Sequence, residues 1–368
     1  MQDKNSIKET AKQEPIALSD KNNKGKEMPW KEKKKQSLKL AASYERLGNK
    51  PKFSRVKDCG TLLSFKVYKE TGIKKLHSIQ TCQVRLCSMC NWRRSLKIYG
   101  QLSQIMDKAL EKNEYRFLFL TLTCRNLEGE ELSPSIDELF YGFNKLTKRN
   151  AFKAVSKGWF RALEITHDTD EFITEDMYHG NKKRHMKPRK KYYDNRGLGI
   201  GDENPSFDSY HPHFHVVLMV NKSYFKKPDL YITQDEWTQM WKESLNVDYT
   251  PIVDVRAFKT SSKAYVSKSV AEAGKYTVKD NDYLVPGNEK LTDRTVQILD
   301  NALSGRRLIA FGGELRKIHK ELNLDDPVDG DLKNTDNEDE NLREDLNYMI
   351  EKYMWNVGLS NYIRVEEK

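Results

Sequence analysis

The segment Tyr210-His211-Pro212-His213-Phe214-His215-Val216-Val217-Leu218-Met219-Val220 constrains the fold more than any other part of the chain. Residues 213–220 close on a short apolar run that reads as a buried strand. Successive side chains of a strand point to opposite faces. His211, His213 and His215 therefore share one face, while Phe214, Val216 and Leu218 enter a core. Three of the eight histidines fall in these five positions. Burying several unpaired imidazoles beside aliphatic side chains is costly. Imidazoles two residues apart on a rigid strand can instead hold one divalent ion, provided a third ligand comes from elsewhere.

Three further strands are predicted, at 117–123 (FLFLTLT), 159–166 (WFRALEIT) and 252–258 (IVDVRAF). Ser133 and Pro134 look like a helix start, ahead of Ile136, Leu139, Phe140, Phe143 and Leu146 at helical spacing. Thr233 and Glu236 form a capping box before Trp237, Trp241 and Leu245. A last helix runs from about Ser262 to Lys279. The order β-α-β-β-α-β is that of a ferredoxin-like α+β fold, a largely antiparallel sheet with flanking helices.

On this sheet Glu164 is the natural third ligand, since Ala162, Glu164 and Thr166 share a face of the neighbouring strand. Two imidazoles and a carboxylate with open positions suit Mn²⁺ or Mg²⁺ acting on a phosphodiester. In the last helix Glu272 and Tyr276 are four residues apart and lie on one face. Lys279 continues that face, and Tyr265 and Ser269 precede it. A tyrosine can attack phosphorus covalently, and a nearby glutamate can activate water.

Charge points the same way. The chain carries 64 Lys+Arg against 54 Asp+Glu, a formal net charge of +10, which fits a polyanionic partner such as nucleic acid. Its apolar runs are too short to cross a bilayer, and its polar first twenty residues predict no export signal. In a reducing compartment, clustered cysteines suggest metal rather than disulfides. Cys82, Cys87 and Cys90 lie within nine residues, and Cys59 lies upstream; together they can close a tetrahedral structural zinc site. Arg93, Arg94 and Lys97 follow on a helix whose core stripe is expected to hold Trp92, Leu96, Tyr99 and Leu102, leaving the cations to contact phosphates. The run from Lys182 to Lys191, including Lys183 and Arg184, interrupts the connection between the Glu164 strand and the histidine strand and is expected to steer DNA.

Four stretches carry a resemblance over roughly residues 55–335: FLFLTLTCRN at 117–126, HPHFHVVLMV at 211–220, AEAGKYTVKDNDYL at 271–284 and CQVRLCSMCNWRRSLK at 82–97. They resemble the rolling-circle replication initiator (Rep) proteins of small Gram-positive plasmids, a branch of the HUH endonucleases. The histidine and Glu/Tyr motifs together are specific; the others alone are not. The resemblance implies that His213 and His215 bind the metal and that Tyr276 becomes joined to a 5′ phosphate at the plasmid origin, leaving a 3′ hydroxyl primer. It implies that Glu272 activates water for the terminating cleavage. Lys275 and Lys279 flank the nucleophile and are expected to contact DNA. His211 is left between orienting a ligand and touching DNA.

The expected organisation is a largely disordered basic arm (1–50), a cysteine-rich segment with its following helix (51–112), an HUH nuclease domain (113–290), a helical part (291–320), an acidic linker (321–345) and a C-terminal helix (346–368). Single-stranded or supercoiled plasmid origin DNA is the expected partner in a bacterial cytoplasm, with host helicase and polymerase as further partners and no membrane. The oligomeric state, a dimer among the options, is left open. The competing readings are a non-catalytic zinc-containing DNA-binding protein and a single-strand HUH transposase.

Overall fold

The computed structural model describes residues 14–22, 25–182, 187–258, 278–335 and 347–365. Its helices are α1 (Trp30–Arg46), α2 (Lys50–Asp58), α3 (Ser88–Lys112), α4 (Gly129–Lys148), α5 (Asn150–Val155), α6 (Glu175–His179), α7 (Lys190–Asp194), α8 (Gln234–Leu245), α9 (Glu289–Leu303) and α10 (Gly313–Glu321). The strands are β1 (Leu62–Tyr68), β2 (Lys74–Ile79), β3 (Tyr115–Thr123), β4 (Ser156–His167), β5 (Tyr210–Asn221), β6 (Val253–Ala257), β7 (Ile309–Gly312), β8 (Tyr348–Asn356) and β9 (Asn361–Val365). None of the described helices is long and apolar enough to cross a membrane.

The four strands expected from sequence form one antiparallel sheet in the order β6-β3-β5-β4, with β7 added at the β4 edge. Numbered by their place in the β-α-β-β-α-β run, that is the 4-1-3-2 arrangement of a ferredoxin-like sheet. β5 lies at its centre because its residues from Pro212 to Val220 are all buried, which only a strand paired on both edges and covered on both faces achieves.

Phe214 anchors one face. It meets Phe140 and Phe143 of α4 at ring separations of 5.4 and 5.6 Å, and Trp241 of α8 at 6.5 Å. The buried Arg161 guanidinium lies over the same rings, 4.8 Å from that of Phe214. The capping box of α8 forms as expected: Thr233 N–H donates to Glu236 Oε2 at 2.7 Å, and Glu236 N–H donates to Thr233 Oγ1 at 3.3 Å. α4 starts a turn earlier than its Ser-Pro signal suggests, at Gly129, where the Glu131 carboxylate accepts the Glu128 N–H at 3.1 Å. Pro134 then sits inside the helix.

Gly312 of β7 leaves no room for a side chain against β4. A Cβ there would lie 2.2 Å from Cε2 of Trp159, which is packed against Phe143. Gly312→Ala is expected to destabilise the protein by about 1–3 kcal/mol through overpacking. A urea midpoint equal to that of the wild type would refute this.

Four expectations are corrected. Trp30–Arg46 of the supposed arm is helical and buries Trp30, Lys34, Ser37, Leu40, Ala41 and Tyr44. Lysine and serine interrupt this buried face, so no apolar period shows in the sequence. The C-terminal segment is a β-hairpin rather than a helix. β8 and β9 join β1 and β2 in a second sheet of order β2-β1-β8-β9, and Glu351, Tyr353 and Trp355 of β8 point inward. The acidic stretch is packed over its described part, with Val328, Leu332 and Thr335 buried.

That packing also corrects the reading of α3. Arg93, Arg94 and Lys97 are buried, whereas Trp92, Leu96 and Tyr99 are only partly so. Arg93 Nε donates to Leu332 O at 2.9 Å, Arg94 Nε to Val328 O at 2.9 Å and Lys97 Nζ to Asp331 O at 2.6 Å. These cations hold the 325–333 loop onto the helix and present no face to phosphate.

Candidate active site

The register of β4 against β5 assembles the site. Glu164 lies opposite His213, Ala162 opposite His215 and Thr166 opposite His211. Directly opposed residues of an antiparallel pair share a face, so the carboxylate meets both imidazoles. Glu164 Oε2 is 2.6 Å from His215 Nε2 and 3.5 Å from His213 Nε2. The three residues are 4%, 8% and 6% exposed for Glu164, His213 and His215, and each offers a ligand atom within 4.8 Å of the others. The backbone carbonyl of His211 sits 3.1 Å from His213 Nδ1. A carbonyl only accepts, so Nδ1 is the nitrogen that donates there, and Nε2 faces the Glu164 carboxylate.

Burial alone would raise the Glu164 carboxyl, but the bonds to His213 and His215 and the Lys279 charge outweigh it and hold it well below the usual carboxylate range. Lys279 Nζ is 2.7 Å from Glu164 Oε1. Burial, reinforced by His213, lowers His211 to about 4, so it is neutral at neutral pH. A carboxylate and two imidazoles converging on one point are a donor set that a divalent cation takes from a protein. The residues present therefore fit Mn²⁺ or Mg²⁺.

The cysteines also meet. Cys59, Cys82, Cys87 and Cys90 are buried with their sulfurs within 4.8 Å of one another. Cys90 Sγ is 3.6 Å from Cys59 Sγ and 3.7 Å from Cys82 Sγ. A tetrahedron with Zn–S bonds of about 2.3 Å has edges of about 3.8 Å. Burial opposes ionisation of Cys87, but the other three thiols and the Ser37 hydroxyl pull it well below its ordinary value. The buried Lys34 ammonium donates to Cys59 O at 2.8 Å and to Lys57 O at 2.7 Å. A buried cation requires nearby negative charge, which thiolates on a metal supply. The cluster fits zinc.

A short segment ties the two clusters together, and sequence reasoning missed it. Asp280 Oδ2 accepts from Ser88 Oγ at 2.7 Å and pairs with Lys33 Nζ at 2.7 Å. Tyr283 donates its hydroxyl to Leu86 O at 2.6 Å, one residue before Cys87. Lys279, on Glu164, begins the same segment. Asp282 also lies there, its carboxyl pushed up by burial to about 6. His167, on β4, sits between Asp282 O at 3.0 Å and Asp208 Oδ1 at 2.9 Å. Only the resemblance of 271–284 to a catalytic motif drew attention to this stretch.

Glu272, Lys275 and Tyr276, with the alternative Tyr265, fall on residues 259–277 and lie outside the described residues, as do Lys183 and Arg184. Lys182 is exposed. Beyond His211 and Thr166 the metal face opens into a cleft of about 1610 Å³, lined by Arg125, Asn126, Arg189 and Tyr192 among others.

A family model described as "Replication protein" matches residues 73–363. A protein named "Protein rep" from Bacillus amyloliquefaciens is 39% identical over 94% of this chain and 96% of its own length. One of the same name from a Bacillus species is 38% identical over 88% of this chain and 99% of its own length. A third, from Streptococcus pneumoniae, is 34% identical over 94% of both. No solved structure matches the chain. The chain therefore belongs to the replication (Rep) protein family, the plasmid replication initiators.

Proposed function

We propose that the protein is a site- and strand-specific nicking endonuclease that starts rolling-circle replication at a plasmid origin. The observation that carries this reading is the cross-strand set Glu164, His213 and His215, with Lys279 three residues beyond Tyr276 and in contact with Glu164. Mn²⁺ or Mg²⁺ at these ligands would supply Lewis-acid polarisation of the scissile phosphate.

The protein's own groups divide the remaining work. The Tyr276 oxygen attacks phosphorus, the bond from phosphorus to O3′ breaks, and O3′ takes up a proton to become a free hydroxyl. The product is a 5′-phosphotyrosyl linkage, which conserves the bond energy for strand transfer. The phenol is a weak nucleophile at neutral pH, so Lys275 and Lys279 lower the cost of its anion and of the developing phosphate charge. Glu272 accepts a proton from water for the terminating cleavage, releasing the enzyme by hydrolysis. The cleft beside His211 holds the strand, with Lys182, Lys183 and Arg184 steering DNA toward it.

Cys59, Cys82, Cys87 and Cys90 hold a structural zinc. The 3′ hydroxyl would prime a host polymerase behind a host helicase, which places the protein in the bacterial cytoplasm.

Covalent trapping tests this. The protein is mixed with single-stranded origin DNA and Mn²⁺ and run on a denaturing gel beside Tyr276→Phe and a chelator control. A heat-stable protein–DNA band absent from both controls is expected. A band surviving in Tyr276→Phe would move the nucleophile, with Tyr265 the next to test. No band from wild type with tight binding retained would favour a non-catalytic DNA-binding protein.

A further inference from the structure

The positive charge of the chain is concentrated in one part of it. Residues 25–112 hold 21 Lys and Arg against 7 Asp and Glu, while the remainder holds 43 against 47 and is net acidic. The excess that makes the protein basic therefore belongs to the cysteine-cluster module, not to the sheet carrying the metal ligands.

Several of these cations are already committed. Lys34, Arg93, Arg94 and Lys97 are buried. Lys33 pairs with Asp280, Arg46 with Asp293, Lys52 with Asp300 and Lys74 with Glu351. These bonds fasten the module to the rest of the protein. Lys31, Lys35 and Lys39 are different. They are spaced by four on α1, on the side away from Trp30, Lys34, Leu40 and Tyr44, and none has a carboxylate partner among the described residues. They span about 12 Å of helix axis at 1.5 Å per residue. The adjoining α2 adds the exposed Lys50 and Lys57.

We propose that this lysine face of α1 and α2 is the docking surface for duplex DNA, held through its phosphates beside the strand that is cut. The proposal rests on the nicking reading and adds to it a second, separate DNA contact. The choice of duplex follows from what the face lacks. A single-strand track interleaves cations with exposed aromatic rings on which bases stack. Here Trp30 and Tyr44 are buried, and Phe53 lies beneath Lys57 Nζ at 5.3 Å. The face offers charge without stacking platforms, which suits a backbone whose bases are turned inward. Lys35 and Lys39 are exposed and Lys31 is half-buried, and lysines at one-turn intervals without carboxylate partners suit the displacement of counterions from a phosphate backbone.

The test uses the full chain carrying Lys31→Gln, Lys35→Gln and Lys39→Gln together. Fluorescence anisotropy follows its binding to a mixed-sequence DNA duplex and to one strand of that duplex across a salt titration. Nicking of a short single-stranded origin oligonucleotide is measured in parallel, and thermal melting checks folding. For the duplex, the slope of log affinity against log salt is expected to fall by about 0.9 per lysine removed, with at least about a tenfold loss of affinity at moderate salt. Lys→Arg at the same three positions should retain both. Single-strand nicking and melting should match the wild type. Unchanged duplex affinity and slope, or a wild type that does not bind duplex, would overturn the proposal. An equal loss on the single strand would overturn it too, by making the face a general strand track. Loss of duplex binding in a protein whose wild type nicks nothing would refute the nicking reading and leave this surface standing.

Discussion

Glu164→Ala is expected to lower metal-dependent nicking by about 100-fold or more, the scale of losses when an oriented group at a metal centre is removed. Three physical consequences follow from the one substitution. One of three ligand atoms disappears from a buried site in which all lie within 4.8 Å. The carboxylate that receives His215 Nε2 at 2.6 Å and Lys279 Nζ at 2.7 Å is gone, so both donors lose their orientation. The negative charge that attracts a cation into the pocket is removed as well. Calorimetric Mn²⁺ titration should show weaker binding than in the wild type, independently of any turnover. Glu164→Gln keeps the shape but not the charge, and should fall between wild type and alanine in metal affinity. Wild-type nicking and Mn²⁺ affinity in Glu164→Ala would remove this residue from the site.

Cys87→Ser is expected to release the zinc and unfold the module around it. Structural zinc in small domains contributes on the order of 10 kcal/mol of folding free energy, so losing one thiolate of four should cost several kcal/mol. Cys87 is also placed to transmit the damage. It precedes α3, whose first residue Ser88 bonds Asp280, and it follows Leu86, whose carbonyl receives the Tyr283 hydroxyl. The segment carrying Lys279 should loosen when the cluster does. Metal analysis is expected to find one zinc per wild-type chain and none in Cys87→Ser, with an earlier thermal transition. Cys124→Ser, at a strand end outside the cluster, should keep both the zinc and the wild-type melting temperature. A zinc-free wild type that melts like Cys87→Ser would refute the assignment.

The legible part of the site was local. Period-two alternation puts His213 and His215 on one face whatever lies beside them. Glu164 could be named because its strand alternates in the same way and antiparallel neighbours share faces. The cysteines were legible as a spacing, although nothing in the sequence showed how Cys59 closes on a cluster beginning at Cys82. The 4-1-3-2 sheet was legible as an order of elements, since each strand and capping box carried its own signal.

The misreadings share one cause. Arg93, Arg94 and Lys97 look like surface cations because charge is usually solvated, yet carbonyls more than 220 residues away bury them. α1 lacks an apolar stripe because Lys34 and Ser37 occupy its inner face, where Lys34 donates to backbone carbonyls and Thr61, and Ser37 donates to the Lys33 carbonyl and lies 3.4 Å from Cys87 Sγ. The C-terminal hairpin was misread because aromatic residues at mixed spacing suit a helix or a strand. Pairing of β8 with β1, from the other end of the chain, makes it a strand.

The sequence by itself determined the central sheet and the face that carries Glu164, His213 and His215, because these follow from side-chain periodicity over a few neighbouring positions; the family was legible only as a resemblance carried by whole motifs. Only the tertiary structure decided which cations are spent inside the protein and which stay at its surface. It also decided how the cysteine cluster is tied through Asp280 and Tyr283 to the metal face. Those outcomes depend on hydrogen bonds between segments far apart in the chain, and a partner at such a distance leaves no local pattern to read.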